Sequence, residues 1–149
     1  MKIPVATALR ASAAALSTFS AKRILLLTPF DESLNKLICN FLADFGIAAA
    51  SASETLRHYT DALAMTPQDV VAYARRAIAE RQDVDAIYFQ GAVLDPMDCL
   101  EKMELEIKIP VIASNPAMIW YMLSKLGRKN QTSGYGKLLE SWPALPDNE

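Results

Sequence analysis

A strand–helix–strand pattern between residues 84 and 116 constrains the fold more than any other feature of this sequence. The apolar run at 86–89 predicts a buried parallel strand, and a second short apolar run at 110–113 predicts another. An Asp-Pro pair at 95–96 predicts the start of a helix between them, because aspartate caps helices and proline is tolerated in the first turn. The stretch therefore predicts a βαβ unit.

The same alternation extends over most of the chain. Four consecutive apolar residues within 23–29 predict a central parallel strand, and 47–50 predicts a weaker one. Between the strands, apolar side chains recur at helical spacing and are expected to face the core. These stripes are Leu34, Leu37, Ile38, Phe41, Leu42 and Phe45, then Val70, Val71, Ala74, Ala77 and Ile78, then Met97, Leu100, Met103 and Ile107, and finally Ile119, Trp120, Leu123 and Leu126. We predict an α/β fold: a three-layer, flavodoxin-like parallel sheet of about four strands in the order 2-1-3-4, with helices on both faces.

The chain divides by its sequence pattern into three parts. Residues 1–20 are rich in Ala and Ser and have no acidic residue, which suits either a targeting peptide or a helix that starts near Thr7. We favour the helix, because a predicted strand follows at once with no linker. Residues 21–128 form the α/β lobe, and 129–149 are predicted to be an irregular tail.

Composition excludes several classes of function. The net charge of −2 offers no basic field for nucleic acid or anionic lipid, and no apolar run reaches the roughly 18 to 20 residues of a membrane-spanning helix. Cys39 and Cys99 have no metal-like spacing, and both are predicted to be reduced and buried within helices. We therefore expect a protein of a reducing, cytoplasmic compartment, with no nucleic acid or membrane partner.

Common catalytic and cofactor motifs are missing from the sequence. It contains no G-x-G-x-x-G, no Walker loop, no H-E-x-x-H and no G-x-S-x-G, and it has one histidine in total. We therefore expect no cofactor and no metal.

The least regular segment, residues 51–65, holds the densest group of reactive side chains, namely Arg57, His58, Tyr59 and Thr60. Long loops in compact domains are often functional, so one interpretation is an enzyme that uses His58 and Tyr59 as acid and base. The alternative is that these side chains are merely solvated.

Small polar groups follow three of the predicted strands. They are Thr28, then residues 90–92, and then Ser114 with Asn115. The carboxyl ends of parallel strands meet at the edge of the sheet where ligands bind, and each group precedes a helix N-terminus, where backbone N–H groups favour an anion. The pattern predicts a site for a carboxylate. A simpler interpretation is that Asp31, Asp95 and Asn115 only cap their helices.

Four stretches of sequence carry a resemblance to a known family. They are I-P-V-A-T-A at 3–8, R-I-L-L-L-T-P-F at 23–30, D-A-I-Y-F-Q-G-A-V-L-D at 85–95 and I-P-V-I-A-S-N-P-A-M-I-W-Y-M-L at 109–123. Together they resemble the second half of the aspartate/glutamate racemase superfamily, in the branch that contains maleate cis-trans isomerase and arylmalonate decarboxylase. The resemblance covers about residues 3–127.

The resemblance implies a two-lobed protein with its active site in the cleft between the lobes. It implies cofactor-independent chemistry at a carbon beside a carboxylate, such as racemisation, isomerisation or decarboxylation, with a strand-end cysteine from each lobe and with backbone and hydroxyl donors on the carboxylate. The expected ligand is a small carboxylate. The residues expected to bind it are Thr28, Phe30, Gln90, Gly91, Ala92, Ser114 and Asn115.

The sequence departs from the family pattern at the reactive positions. The second-lobe cysteine aligns near Gly91, the tyrosine that often follows T-P is Phe30, and the first lobe is not in the sequence. Three interpretations fit: a fragment of a longer protein, a half-protein that dimerises to rebuild the cleft, or a subgroup without the two-cysteine chemistry. We expect a lobe that alone is weakly active or inactive. The alternative is a non-catalytic carboxylate-binding or dimerisation module, with the N-terminal helix and the Trp120 and Trp142 region as the dimer surface.

Overall fold

The structure is a computed structural model, and it describes residues 5–54, 56 and 58–147. Four parallel strands pair in the order β2-β1-β3-β4, which confirms the predicted α/β sheet. The elements in chain order are α1 (Ala8–Thr18), β1 (Arg23–Leu27), α2 (Glu32–Ala43), β2 (Ala48–Ser51), a 3-10 helix (Tyr59–Ala64), α3 (Pro67–Glu80), β3 (Ala86–Phe89), a 3-10 turn (Met97–Cys99), α4 (Leu100–Ile107), β4 (Val111–Ala113), α5 (Ser114–Lys125) and α6 (Lys137–Ser141).

Successive residues of β1 divide the core into two layers, because side chains alternate between the faces of a strand. Ile24 and Leu26 pack in a cluster with α1, α2, α5 and α6, while Leu25 and Leu27 pack in a cluster with α3 and α4. All four side chains are at most 1% exposed. The sheet is therefore covered on both faces, as four apolar residues in succession predicted.

The predicted N-terminal helix is present. Thr7 caps α1, its side chain accepting a hydrogen bond of 3.2 Å from the backbone N–H of Arg10. Six consecutive residues, 11–16, are buried where α1 packs against α5. The small alanine side chains of α1 allow this close approach, so α1 belongs to the core of the lobe.

The predicted buried faces of α2 and α5 need correction. In α2, Leu34 and Leu37 are 40% and 63% exposed. In α5, Trp120 is buried as predicted, but Ile119 and Leu126 are exposed and Tyr121 is buried instead. The buried face of α5 is rotated from the predicted one, because this helix packs against α1 as well as against the sheet. Helical periodicity alone does not reveal the contact with α1.

Two segments predicted to be irregular contain helical structure. The loop at 51–65 includes the 3-10 helix Tyr59–Ala64, and the tail includes α6. Leu138, Leu139 and Trp142 of the tail are buried. Because Trp120 and Trp142 are both in the core, these two indoles do not form the exposed dimer surface suggested by the sequence.

Helix α4 also begins differently from the prediction. The Asp-Pro pair leads first into the 3-10 turn, in which the backbone N–H of Met97 donates to Asp95 at 3.1 Å, and α4 starts at Leu100. Within the described ranges, no helix is long and apolar enough to cross a membrane.

Candidate functional site

Three strand ends lie side by side at the carboxyl edge of the sheet. Leu27 pairs with Phe89, and Phe89 pairs with Ala113, so the next residues along the three strands are Thr28, Gln90 and Ser114. Neighbouring strands lie about 4.8 Å apart. The sheet therefore brings together the three groups that the sequence predicted would converge.

The strand end at β1 is closed by its own hydrogen bonds. The Thr28 hydroxyl donates to Asn35 Oδ1 and accepts from the backbone N–H of Phe30 at 3.2 Å, while Asn35 Nδ2 donates to the Phe30 carbonyl at 3.3 Å. Thr28 and Asn35 are each 4% exposed. The single hydroxyl hydrogen of Thr28 is used within the turn, so Thr28 shapes the edge and has no hydrogen left for a ligand.

The strand end at β3 is open. Gln90 continues the sheet by donating its backbone N–H to Leu27 at 3.0 Å, and the Gly91 carbonyl accepts from Leu94 at 3.2 Å. The backbone N–H groups of Gly91 and Ala92, however, donate to no acceptor among the residues that the structure describes. The Gln90 side chain is half-buried, and its Oε1 accepts from the Tyr88 hydroxyl. Three donors therefore remain at this strand end: two backbone N–H groups and Gln90 Nε2.

Position 91 has no room for a side chain. Gly91 has φ of +116°, and a Cβ atom there would lie 2.9 Å from Pro29 Cδ and 3.2 Å from Phe30 Cζ. The Phe30 ring in turn stacks on Tyr59, with ring centroids 6.3 Å apart and planes 9° from parallel. The two departures from the family pattern, at positions 30 and 91, are thus in direct contact.

The start of α5 contributes further open donors. No side chain caps this helix, so the first-turn N–H groups are not satisfied by a cap. Ser114 is 5% exposed at this point, and Asn115 Nδ2 donates to Asp95 Oδ2 at 2.6 Å. The capping interpretation is correct for Asp31, which accepts from Leu34 at the start of α2. It is wrong for Asn115, whose bond to Asp95 joins the first turn of α5 to the segment after β3.

Two acidic side chains lie at this edge among the described residues. Asp95 accepts a hydrogen bond from Asn115, and Asp31 caps the neighbouring helix α2. Arg57, predicted from sequence as a reactive side chain of the loop, lies outside the described residues.

The loop side chains form a separate, exposed group. His58 and Thr60 are exposed, and the backbone N–H of His58 donates to Asp61 at 3.0 Å. Tyr59 is 49% exposed and, with His58 and Phe30, lines a groove of about 300 Å³. No hydrogen bond joins the His58 and Tyr59 side chains in the described part of the chain, and their use as acid and base stays a prediction.

Neither cysteine replaces the thiol expected at position 91. Cys99 is buried among α3 and α4 and Cys39 is half-buried in α2, which corrects the prediction that both are buried. Burial raises the pKa of each thiol and so lowers its thiolate fraction. Among the described residues, no group of His, Cys, Asp and Glu side chains is arranged to hold a metal.

Two side chains of the site were not predicted from sequence. Asn35 closes the strand end at β1, and Tyr88 bonds Gln90 from inside the core. A signal was available for each. Asn35 is a polar residue beside an apolar helical stripe, and Tyr88 shares a strand face with Gln90, because residues two apart point the same way.

The family model for arylmalonate decarboxylase matches residues 1–139 of the chain. The chain belongs to the arylmalonate decarboxylase family. It is 24% identical over 140 residues to an arylmalonate decarboxylase of Bordetella bronchiseptica, with 93% of this chain and 58% of that protein covered. It is 22% identical over 141 residues to a maleate isomerase of Alcaligenes faecalis, with 93% and 55% covered.

Solved structures of this arylmalonate decarboxylase family share the fold. One is a variant of a maleate isomerase from Pseudomonas putida crystallised with maleate, which has a TM-score of 0.78 and 25% identity and of which this chain covers 54% with 91% of its own length. The chain thus spans little more than half the length of the family members that it matches.

Proposed function

We propose that the chain is the carboxylate-binding lobe of an arylmalonate decarboxylase-family protein that acts on a small carboxylate by cofactor-independent carbon-acid chemistry. The observation that supports this most directly is the row of open donors at the carboxyl edge. Gly91 and Ala92 offer backbone N–H groups, and Gln90 offers its side-chain amide. The uncapped helix α5 begins directly after the neighbouring strand β4. Donors arranged in this way suit a carboxylate oxygen.

We further propose that this lobe is weakly active or inactive alone. A thiol that moves a proton or adds to the substrate has no equivalent at position 91, where Pro29 and Phe30 fill the space of a side chain. The remaining cysteines lie in α2 and in the 3-10 turn before α4, with thiol pKa values raised by burial. What the lobe contributes is then the orientation of the substrate, and the reacting group comes from elsewhere.

Binding and turnover test these two statements separately. Titration with maleate, followed by nuclear magnetic resonance, should shift the backbone resonances of residues 90–92 and 114–115. Gln90→Ala should weaken this binding by about ten- to a hundredfold, because one hydrogen bond to a charged group is lost. Gln82→Ala, at an exposed position away from the edge, is the matched control. Shifts confined to other parts of the chain would contradict the proposed site.

The purified chain should show at most trace isomerisation of maleate and trace decarboxylation of an arylmalonate. Robust turnover of either substrate would refute the proposal that the lobe needs a further reacting group.

The alternative proposal, a non-catalytic module that binds a carboxylate and dimerises, is favoured by exposed apolar side chains. Leu37 of α2 and Leu63 of the 3-10 helix are 63% and 65% exposed, and Leu34 lines the groove beside Phe30. A second lobe, either a second copy or the first lobe of the family architecture, would cover them.

Sedimentation equilibrium separates these partners. A homodimer should dissociate in Leu37→Glu and persist in Leu105→Glu, a leucine of equal exposure on α4. A chain that stays monomeric at high concentration would exclude the homodimer and favour a separate first lobe.

A further inference from the structure

A buried tyrosine hydroxyl lies behind Gln90. Tyr88 is fully buried in β3, and its hydroxyl donates to Gln90 Oε1. The structure shows no other hydrogen bond of the Tyr88 hydroxyl among the described residues, and burial raises the pKa of Tyr88.

Counting hydrogens fixes the direction of the Tyr88–Gln90 hydrogen bond. Tyr88 has one hydroxyl hydrogen, and a buried hydroxyl needs an acceptor. Gln90 Oε1 is that acceptor in the structure. Gln90 Nε2, with two hydrogens, then faces away from Tyr88.

The reversed amide is worse by the same count. Gln90 Nε2 would then face the Tyr88 oxygen, and the Tyr88 hydrogen would lose the one acceptor found for it among the described residues. An unsatisfied buried donor carries its full desolvation cost.

We propose that Tyr88 is a positioning residue that holds the Gln90 amide with Nε2 toward the carboxyl edge, so that position 90 acts only as a donor. This rests on the proposed carboxylate site, because it assigns what sets the polarity of that site. A fixed donor favours a carboxylate over the corresponding carboxamide, whose N–H group would face Nε2. A freely rotating amide could offer Oε1 instead and would discriminate less.

The test compares maleate with maleamate, its half-amide of nearly the same shape. The wild-type chain should bind maleate more tightly. Tyr88→Phe should reduce the maleate-to-maleamate affinity ratio by about three- to tenfold, because the released amide can rotate.

Tyr73→Phe is the matched control. Tyr73 is 2% exposed and donates its hydroxyl to the Glu54 carbonyl at 2.9 Å, on the other face of the sheet. The control should lower stability but leave the affinity ratio unchanged. An unchanged ratio in Tyr88→Phe, with both ligands still bound, would overturn the positioning role.

A second measurement needs no ligand. The buried Tyr88 hydroxyl proton should exchange slowly enough to be observed, and its nuclear Overhauser effect to the Gln90 side-chain amide protons should be weak. A strong effect would place Nε2 against Tyr88 and refute the inference. If the wild-type chain binds neither ligand, the proposed carboxylate site fails, and this measurement still decides the orientation of Gln90.

Discussion

The two edges of the sheet differ in whether their backbone N–H groups have acceptors within the described residues. At the amino edge, Asp85 accepts from the N–H groups of Lys22 and Arg23, at 2.9 and 2.8 Å, where β1 begins. Glu104 accepts from Val111 at 2.9 Å, where β4 begins, and from Lys137 at 2.7 Å. The chain thus supplies its own carboxylates at this edge.

At the carboxyl edge, equivalent donors have no such partner within the described residues. Gly91 and Ala92 keep open N–H groups, and no side chain caps α5. Unpaired donors are costly when buried, so groups left open at an edge are either solvated or reserved for a ligand. The amino edge shows what would satisfy them, namely a carboxylate with two oxygens to share. The comparison therefore supports a carboxylate from outside the chain at the carboxyl edge.

The largest expected effect is at Gly91, whose lack of a side chain keeps the carboxyl edge open. Gly91→Cys should lower the free energy of unfolding by about 3 kcal/mol, because φ of +116° is unfavourable for any side chain and a Cβ would press on Pro29 and Phe30. Chemical denaturation measures the loss. Despite the new thiol, the variant should gain no turnover.

Gly127→Cys is the control for the backbone alone. Gly127 has φ of +67°, and a Cβ atom added there would meet no other atom within 4 Å. Its loss should be about 1 kcal/mol. Equal losses at the two positions would mean that the contact with Pro29 and Phe30 is not what excludes a side chain from position 91.

Much of this edge could be predicted from sequence, but its hydrogen bonds could not. Apolar runs located the strands and so placed Thr28, Gln90 and Ser114 together. Whether a hydroxyl is free depends on contacts from other elements, however, and Thr28 is used by Asn35 from α2. Likewise, the acids at 85 and 104 look like ordinary charged residues until the fold places their oxygens against strand N–H groups.

A smaller effect is expected at Glu104, which is 4% exposed and closes the start of β4. In Glu104→Gln the amide can replace only one of the two acceptor oxygens, so Val111 or Lys137 loses its acceptor. The free energy of unfolding at neutral pH should fall by about 2 kcal/mol. Glu101→Gln, on the same helix, should change the free energy of unfolding little, because the Glu101 side chain makes no hydrogen bond within the described chain. A loss as large in the control would show that the amino edge does not depend on Glu104.

The smallest effect, and the sharpest test of the amino edge, is at Asp85. Both of its backbone bonds go to one oxygen, which Asn can retain, so Asp85→Asn should lower stability at pH 7 by less than about 1 kcal/mol. Asp83→Asn is the control, because the Asp83 side chain is 74% exposed and pairs with the Arg23 side chain at 3.6 Å, without a hydrogen bond to a strand N–H group in the described residues. If chemical denaturation showed an equal loss of stability in Asp83→Asn, the stabilising role of Asp85 at the amino edge would be refuted.

The contributions of Asp85 and Glu104 to stability should change with pH in opposite directions. The hydrogen bonds from Lys22 and Arg23 lower the pKa of Asp85, so its contribution is present above the ordinary aspartate value and is lost as pH falls through the lowered pKa. Burial raises the pKa of Glu104, outweighing its two backbone hydrogen bonds, so the folded chain binds the extra proton. Stability attributable to Glu104 is therefore greatest below the ordinary glutamate pKa of about 4.3 and declines as pH rises through the raised value.

Subtracting the Asp85→Asn and Glu104→Gln stability curves from the wild-type curve should give slopes of opposite sign in adjacent pH ranges. Two slopes of the same sign would show that one of these carboxylates is not held as the structure has it.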